Sequence, residues 1–305
     1  MFDPKRATLK QLRALATVAE TGTVTAAAAR LNVTPPAVSL QLRELEQNAG
    51  LPLLERRPDG MVPTQAGREL LVVHRRSDAA LHACRDALAA ISGVEGGRVS
   101  IGVISTAKYF APRALAAFIK ERPKIDIRLL VVNRGETIAA LENFKLDLAI
   151  MGRPPEEPGY EKSTIGDHPH IIIAPPEHKF AARKRLQMKD LADETFLLRE
   201  EGSGTRSLTE HLFNRSRIHP RIGMEIGSNE TIKQAVIAGI GIAFISAHTV
   251  YAELNDGRLV ELPVAGLPVM RKWYVVKREE RTLLPPAQAL WDFLRDRGSS
   301  FLPKR

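Results

Sequence analysis

Polar side chains that could hold a charged molecule recur where the chain changes from strand-like to helix-like patterning. In "VISTAKYF", Ser105 and Thr106 stand at the carboxyl end of an apolar run and just ahead of a helical one. Hydroxyls and free helix N–H groups at such places hold anions in α/β sheets. "REEGSGTR" repeats the arrangement: its glycines let backbone approach a ligand, and Ser203, Thr205 and Arg206 can bind phosphate or carboxylate. Asn133 and Arg134 end another apolar run, as do Arg153, Asn229 and Glu230, with Lys233 one turn further on. Taken singly, such residues are more often caps or surface groups. Their recurrence at strand ends in two successive series predicts a cleft that binds a small anion.

A second group of polar residues belongs to "VTPPAVSLQLRELE", residues 33–46. Val38, Leu42 and Leu45 follow helical spacing, yet two prolines stand in front of them. The first turn of a helix has N–H groups without internal partners, so proline loses nothing there. Thr34 is the expected N-cap, with Pro35 and Pro36 at the first two helical positions. Near that helix start, Thr34, Ser39 and Gln41 can donate to or accept from base edges or phosphates, and the proline rings can touch a thymine methyl. Arg43 on the same helix, and Arg56 and Arg57 in "RRPDG", are expected phosphate contacts. An ordinary three-helix bundle is the plainer alternative on these residues alone.

Enzymatic constellations are missing from the pattern. There is no G-x-x-x-x-G-K-[ST] phosphate loop, no G-x-S-x-G nucleophile elbow and no complete dinucleotide fingerprint. His168, His170 and His178 lack metal-ligand spacing, so neither a metal nor a cofactor is expected. The single cysteine, Cys84, excludes an internal disulfide framework and reads as a small buried hydrophobe.

The elements that must position these groups can be read in order. "TLKQLRALATVAE" and "GTVTAAAARL" are amphipathic helices that precede the proline-led one, and three short helices with a tight turn match helix-turn-helix spacing. "LPLLERRPDGMVPTQAG" supplies a hairpin with an Asp-Gly turn, the wing of a winged helix-turn-helix. A helix from Gln65 to about Ile91 carries Leu70, Val73, Ser77, Ala80, Cys84, Ala87 and Ile91 at heptad spacing, as a dimerising helix would. "SGVEGGR" is a glycine-rich break. Strands then alternate with helices, which predicts a parallel sheet with crossovers in two α/β lobes. The expected domains are therefore 1–64 (winged helix-turn-helix), 65–92 (linker helix), 93–98 (hinge) and 99–305. The last divides into lobe I, about 99–160 and 266–300, and lobe II, about 161–265.

The 305 residues carry a net charge of +9, which favours anionic partners. That charge does not locate a DNA site, because residues 1–93 hold about 12 basic and 9 acidic side chains. No apolar run is long enough to span a membrane and the N-terminus has no signal-like apolar core, so a cytoplasmic protein is expected.

In order and spacing, "VAETGTVTAAAARL", "PAVSLQLRELE", "LLERRPDG" and "PTQAG" resemble the DNA-binding domain of LysR-type transcriptional regulators. The likeness continues through the linker helix and the two-lobed half. There "VISTAKYFAPRALAAF", "DLAIMGRPP", "HPHIIIAPPEHKFA", "REEGSGTR" and "SNETIKQAVIAGIGIAFIS" are most similar to CbbR-type regulators of carbon-fixation operons. The resemblance implies a periplasmic-binding-protein-like effector domain and a dimer of dimers that binds double-stranded promoter DNA. It also implies an activator that contacts RNA polymerase and responds to a phosphorylated sugar, nucleotide or reduced nicotinamide. Family members often carry glutamine where Pro35 stands and a basic residue where Ala26 stands, so base contacts differ at those two positions. Regulation of another operon, an exported solute-binding protein, or an enzyme on the same two-lobed fold are the alternatives.

Overall fold

The computed structural model describes residues 2–91 and 96–304, and the chain divides into two compact units, Met1–Leu88 and Ala89–Arg305. Residues 93–95 of the expected hinge at 93–98 lie outside the described residues, as do the side chains of Ala87 and Ile91 on the heptad stripe.

The first unit packs α1 (Leu9–Thr21), α2 (Val24–Leu31) and α3 (Pro35–Ala49) around Leu15, Val18, Ala27, Val38, Leu45 and Leu53, all at most 1 % exposed. Each start has a local cause. Thr8 and Gln11 form a reciprocal capping box on α1, and the Thr23 hydroxyl accepts from Ala26 N at the head of α2. Thr34 occupies the N-cap of α3 with extended backbone, but its side chain makes no capping bond. The prolines at N1 and N2 have already removed the need for two of the donors that a cap would serve.

The wing is the hairpin β1 (Leu54–Arg57) and β2 (Gly60–Pro63). It is pinned to the end of α1 by a hydrogen bond from Met61 N to Gly22 O of 2.8 Å. Both Gly22 and Gly60 have positive φ, and a Cβ on Gly60 would meet Gly22 O at 3.0 Å, so this contact requires glycine. The long helix α4 (Gln65–Ile91) follows. Leu70 joins the core, but Val73 and Cys84 are exposed in the single chain. Cys84 is thus not a buried hydrophobe among the described residues, which contradicts the reading of it as a small core residue.

In the second unit, β3 (Gly97–Ile104), α5 (Ala111–Glu121), β4 (Ile125–Val132), α6 (Arg134–Glu142) and β5 (Leu148–Met151) form lobe I. There β4 and β5 flank β3 in parallel. Lobe II holds β7 (Thr195–Arg199), α7 (Gly204–Ser216), β8 (Arg221–Ile226), α8 (Asn229–Ile237), β9 (Ala243–Ser246), α9 (Tyr251–Asn255) and β10 (Val260–Glu261). The chain returns through β11 (Val269–Arg278) and α10 (Pro285–Arg297).

Two features depart from the sequence expectation. The sheet is mixed rather than parallel, since β11 runs antiparallel to β5 and to β6 (Tyr160–Ala174), and β6 runs antiparallel to β9 and β10. And β6 (Tyr160–Ala174) is one 15-residue strand where a joint between lobes was expected. Its Ile165 packs in the lobe I core with Trp273 and Phe110, while Ile171–Ala174 pack in lobe II. Paired with β11 along most of its length, β6 carries the chain from one lobe to the other.

Candidate functional site

A cavity of about 300 Å³ opens between the lobes. Of the residues expected to bind an anion, Ser105, Thr106, Asn133, Arg134, Arg153, Ser203 and Thr205 line it. Ser105 and Thr106 follow the end of β3, and Ser203 is the N-cap of α7, whose side chain makes no bond to its own helix. Asn133 caps α6 through its side chain, which accepts from Glu136 N at 2.9 Å. Arg134 donates to Arg153 O at 2.7 Å, and burial and the nearby Arg153 guanidinium lower its pKa.

Four predicted residues are placed elsewhere. Arg206 pairs with Glu210 at 2.8 Å and with Glu225 and donates to Arg199 O at 3.2 Å, and it does not line the cavity. Asn229 is 1 % exposed and accepts from Arg199. Glu230 and Lys233 belong to a separate contact between the lobes. The Tyr109 hydroxyl donates to Glu230, Lys233 lies 4.9 Å over the Tyr109 ring, and Lys233 also bonds Glu253 at 2.9 Å. Burial and the bond to Glu230 raise the Tyr109 pKa, so the phenol remains a donor.

The sequence reading missed Arg199, Arg271, His168 and His170 as lining residues. Arg199, at the end of β7, is 3 % exposed. It donates to Glu200 at 2.7 and 2.8 Å, to Asn229 at 2.5 Å and, across the cleft, to Ser105 Oγ at 3.0 Å. The signal for it was a charged residue ending an apolar strand. His168 and His170 alternate on β6, so both rings lie on one face of the strand. Their centroids are 4.2 Å apart, and His168 stacks on Trp273 at 3.7 Å. The i, i+2 spacing inside a predicted strand was the available signal.

The cavity wall carries four arginines, Arg134, Arg153, Arg199 and Arg271, against one carboxylate, Glu156. With the hydroxyls and the α7 N-terminus, that imbalance suits a small anion bound by both lobes.

In the first unit, Thr34, Pro35 and Pro36 are exposed at the start of α3, Ser39 and Gln41 are partly exposed, and Arg43 points outward. Val38, Leu42 and Leu45 hold the opposite face in the core. Arg56 and Arg57 project from the wing, where Arg57 bonds Glu55 at 2.6 Å.

Models of two protein families match the chain. "Bacterial regulatory helix-turn-helix protein, lysR family" covers residues 9–68, and "LysR substrate binding domain" covers residues 92–299. The HTH-type transcriptional regulator CbbR of Xanthobacter flavus is 50% identical over 299 residues, 97% of this chain and 90% of the relative. A RuBisCO operon transcriptional regulator of Allochromatium vinosum is 41% identical over 94% of this chain and 95% of its own. Among solved structures, the CcmR regulatory domain of Synechocystis PCC6803 in complex with 2-PG is 38% identical with a TM-score of 0.63. It covers 65% of this chain and 96% of that one.

Proposed function

The chain belongs to the LysR family of DNA-binding transcriptional regulators, and from that premise we propose that it controls a carbon-fixation operon in response to a small phosphorylated effector. It is a regulator and not an enzyme, as its relatives are named. The observation that carries the effector reading is the cavity between the lobes, lined by four arginines and one glutamate. The related CcmR domain bound to 2-phosphoglycolate supports the same ligand chemistry. A cavity of about 300 Å³ is at the small end of ligand pockets, which favours a short-chain phosphate over a dinucleotide.

The phosphate lies against Ser105, Thr106, Ser203 and Thr205, where α7 offers its N-terminal N–H groups. Since these groups come from both lobes, the ligand favours whichever lobe arrangement brings them together, and its differential affinity sets the size of the shift. In the DNA-binding unit, α3 enters the major groove with Thr34, Pro35, Pro36, Ser39 and Gln41 toward the bases. Arg43, Arg56 and Arg57 contact phosphates, and α4 pairs two subunits of a dimer of dimers.

Calorimetry with 2-phosphoglycolate, sugar phosphates and reduced nicotinamides tests the effector. Saturable binding of a phosphorylated acid, lost in T205V with the fold intact, is expected. Binding of reduced nicotinamides alone would contradict the small-effector reading.

A further inference from the structure

His168 is the most unusual polar group of the cleft. It lines the cavity, is 2 % exposed, and neither ring nitrogen has a hydrogen-bond partner. Stacking on Trp273 accounts for the ring faces but not for the two nitrogens. Leaving buried polar groups unpaired is costly, so an orphaned pair at a ligand cavity points to a partner that arrives with the ligand. His170 adds a second nitrogen. Its Nδ1–H donates to His168 O at 3.2 Å, which leaves Nε2 of the neutral ring as the free acceptor.

The surroundings say what that partner is. From the neighbouring elements, His248 and Arg271 face the pair, and Arg153 follows β5 beside it. Across the cavity are Arg134, Arg199 and His211, with Glu156 the one carboxylate of the lining. Asp167 is turned outward and paired with Lys272. Two buried neutral imidazoles in a field of cations accept a proton when an anion offsets that field. Among the described residues no three His, Cys, Asp or Glu side chains converge as a metal site requires.

We propose that His168 and His170 form an acid-group subsite, which receives the carboxylate of an effector whose phosphate is held at Ser203 and Thr205. The effector class is then a phosphorylated short-chain carboxylic acid, and a phosphate ester without the acid group binds weakly. This rests on the phosphate-binding reading of the cleft above. Gly152 keeps the subsite open, since a Cβ there would come within 2.6 Å of His168 Nδ1.

The test compares 2-phosphoglycolate with ethyl phosphate, which has the phosphate and lacks the carboxylate, on the full chain by calorimetry. Wild type is expected to prefer 2-phosphoglycolate by about tenfold or more, and H168Q and H170Q to lose that preference while still binding ethyl phosphate. Should these variants fail to fold, ¹⁵N spectra of the wild-type histidines decide. Two-phosphoglycolate should convert one ring to the imidazolium form near neutral pH, and ethyl phosphate should not. Equal affinity for the two probes, or unchanged histidine spectra with 2-phosphoglycolate bound, overturns the subsite and leaves the phosphate reading standing. Binding of neither probe overturns both.

Discussion

At the level of single residues, Arg199, His168 and His170 are buried basic side chains in the wall of the cleft. Arg199 holds Glu200, Asn229 and Ser105 at once and is buried. Replacing it by alanine leaves those groups unsatisfied, and we expect a stability loss of about 1–3 kcal/mol with loss of effector response. Thermal melts and effector titration of R199A check this, and an unchanged response would remove Arg199 from the site. The histidines give a pH dependence of known sign. Burial holds His170 down to about 3 and His168 well below the usual range. The unfolded chain therefore binds more protons below pH 6.5, and the effector domain loses stability as pH falls from 6.5 toward 3. Each such ring contributes up to about 1.4 kcal/mol per pH unit, which melts between pH 7 and 5 measure. Stability that rises on acidification through this range would contradict buried neutral rings. The sequence carries a signal for each residue but not for their meeting: Arg199 reaches Ser105 across 94 positions, and the i, i+2 spacing of the histidines does not say that their strand walls a cavity.

Elements were legible wherever their cause was local. The two prolines mark the start of α3 because a first turn tolerates them, and the Asp-Gly pair marks the wing. The long strand β6 was not, because a single run of residues serves two hydrophobic cores, and periodicity does not record which core a side chain enters. Leu45, with no exposure at the centre of the first unit, ties α3 to that core. L45A should cost about 2–5 kcal/mol by denaturant unfolding and abolish DNA binding. The wing makes a different prediction. R56A should weaken binding to all sequences alike and reduce the salt slope of log K by about 1, measured by anisotropy over a salt series. A sequence-dependent loss would instead assign Arg56 to the bases. Between the lobes, Tyr109 and Glu230 form a contact outside the cavity. Burial opposes ionisation of Glu230, but bonds from Tyr109 and Lys233 lower its pKa. That contact thus holds above the usual carboxylate range and weakens as pH falls through the lowered value. Y109F should alter effector affinity several-fold without changing which effector binds.

For the molecule as a whole, a DNA reader and a two-lobed anion sensor lie on one chain, and 50% identity to a CbbR regulator spans nearly all of it. The central claim is that a phosphorylated acid in the cleft changes how α3 and the wing engage promoter DNA. Fluorescence anisotropy on a duplex from the promoter of the carbon-fixation operon, with unrelated duplex as competitor, tests it most directly. The expected result is binding that survives the competitor at moderate salt and an affinity or stoichiometry that shifts when 2-phosphoglycolate is added. Binding that the unrelated duplex removes completely, or that no phosphorylated acid alters, would contradict it.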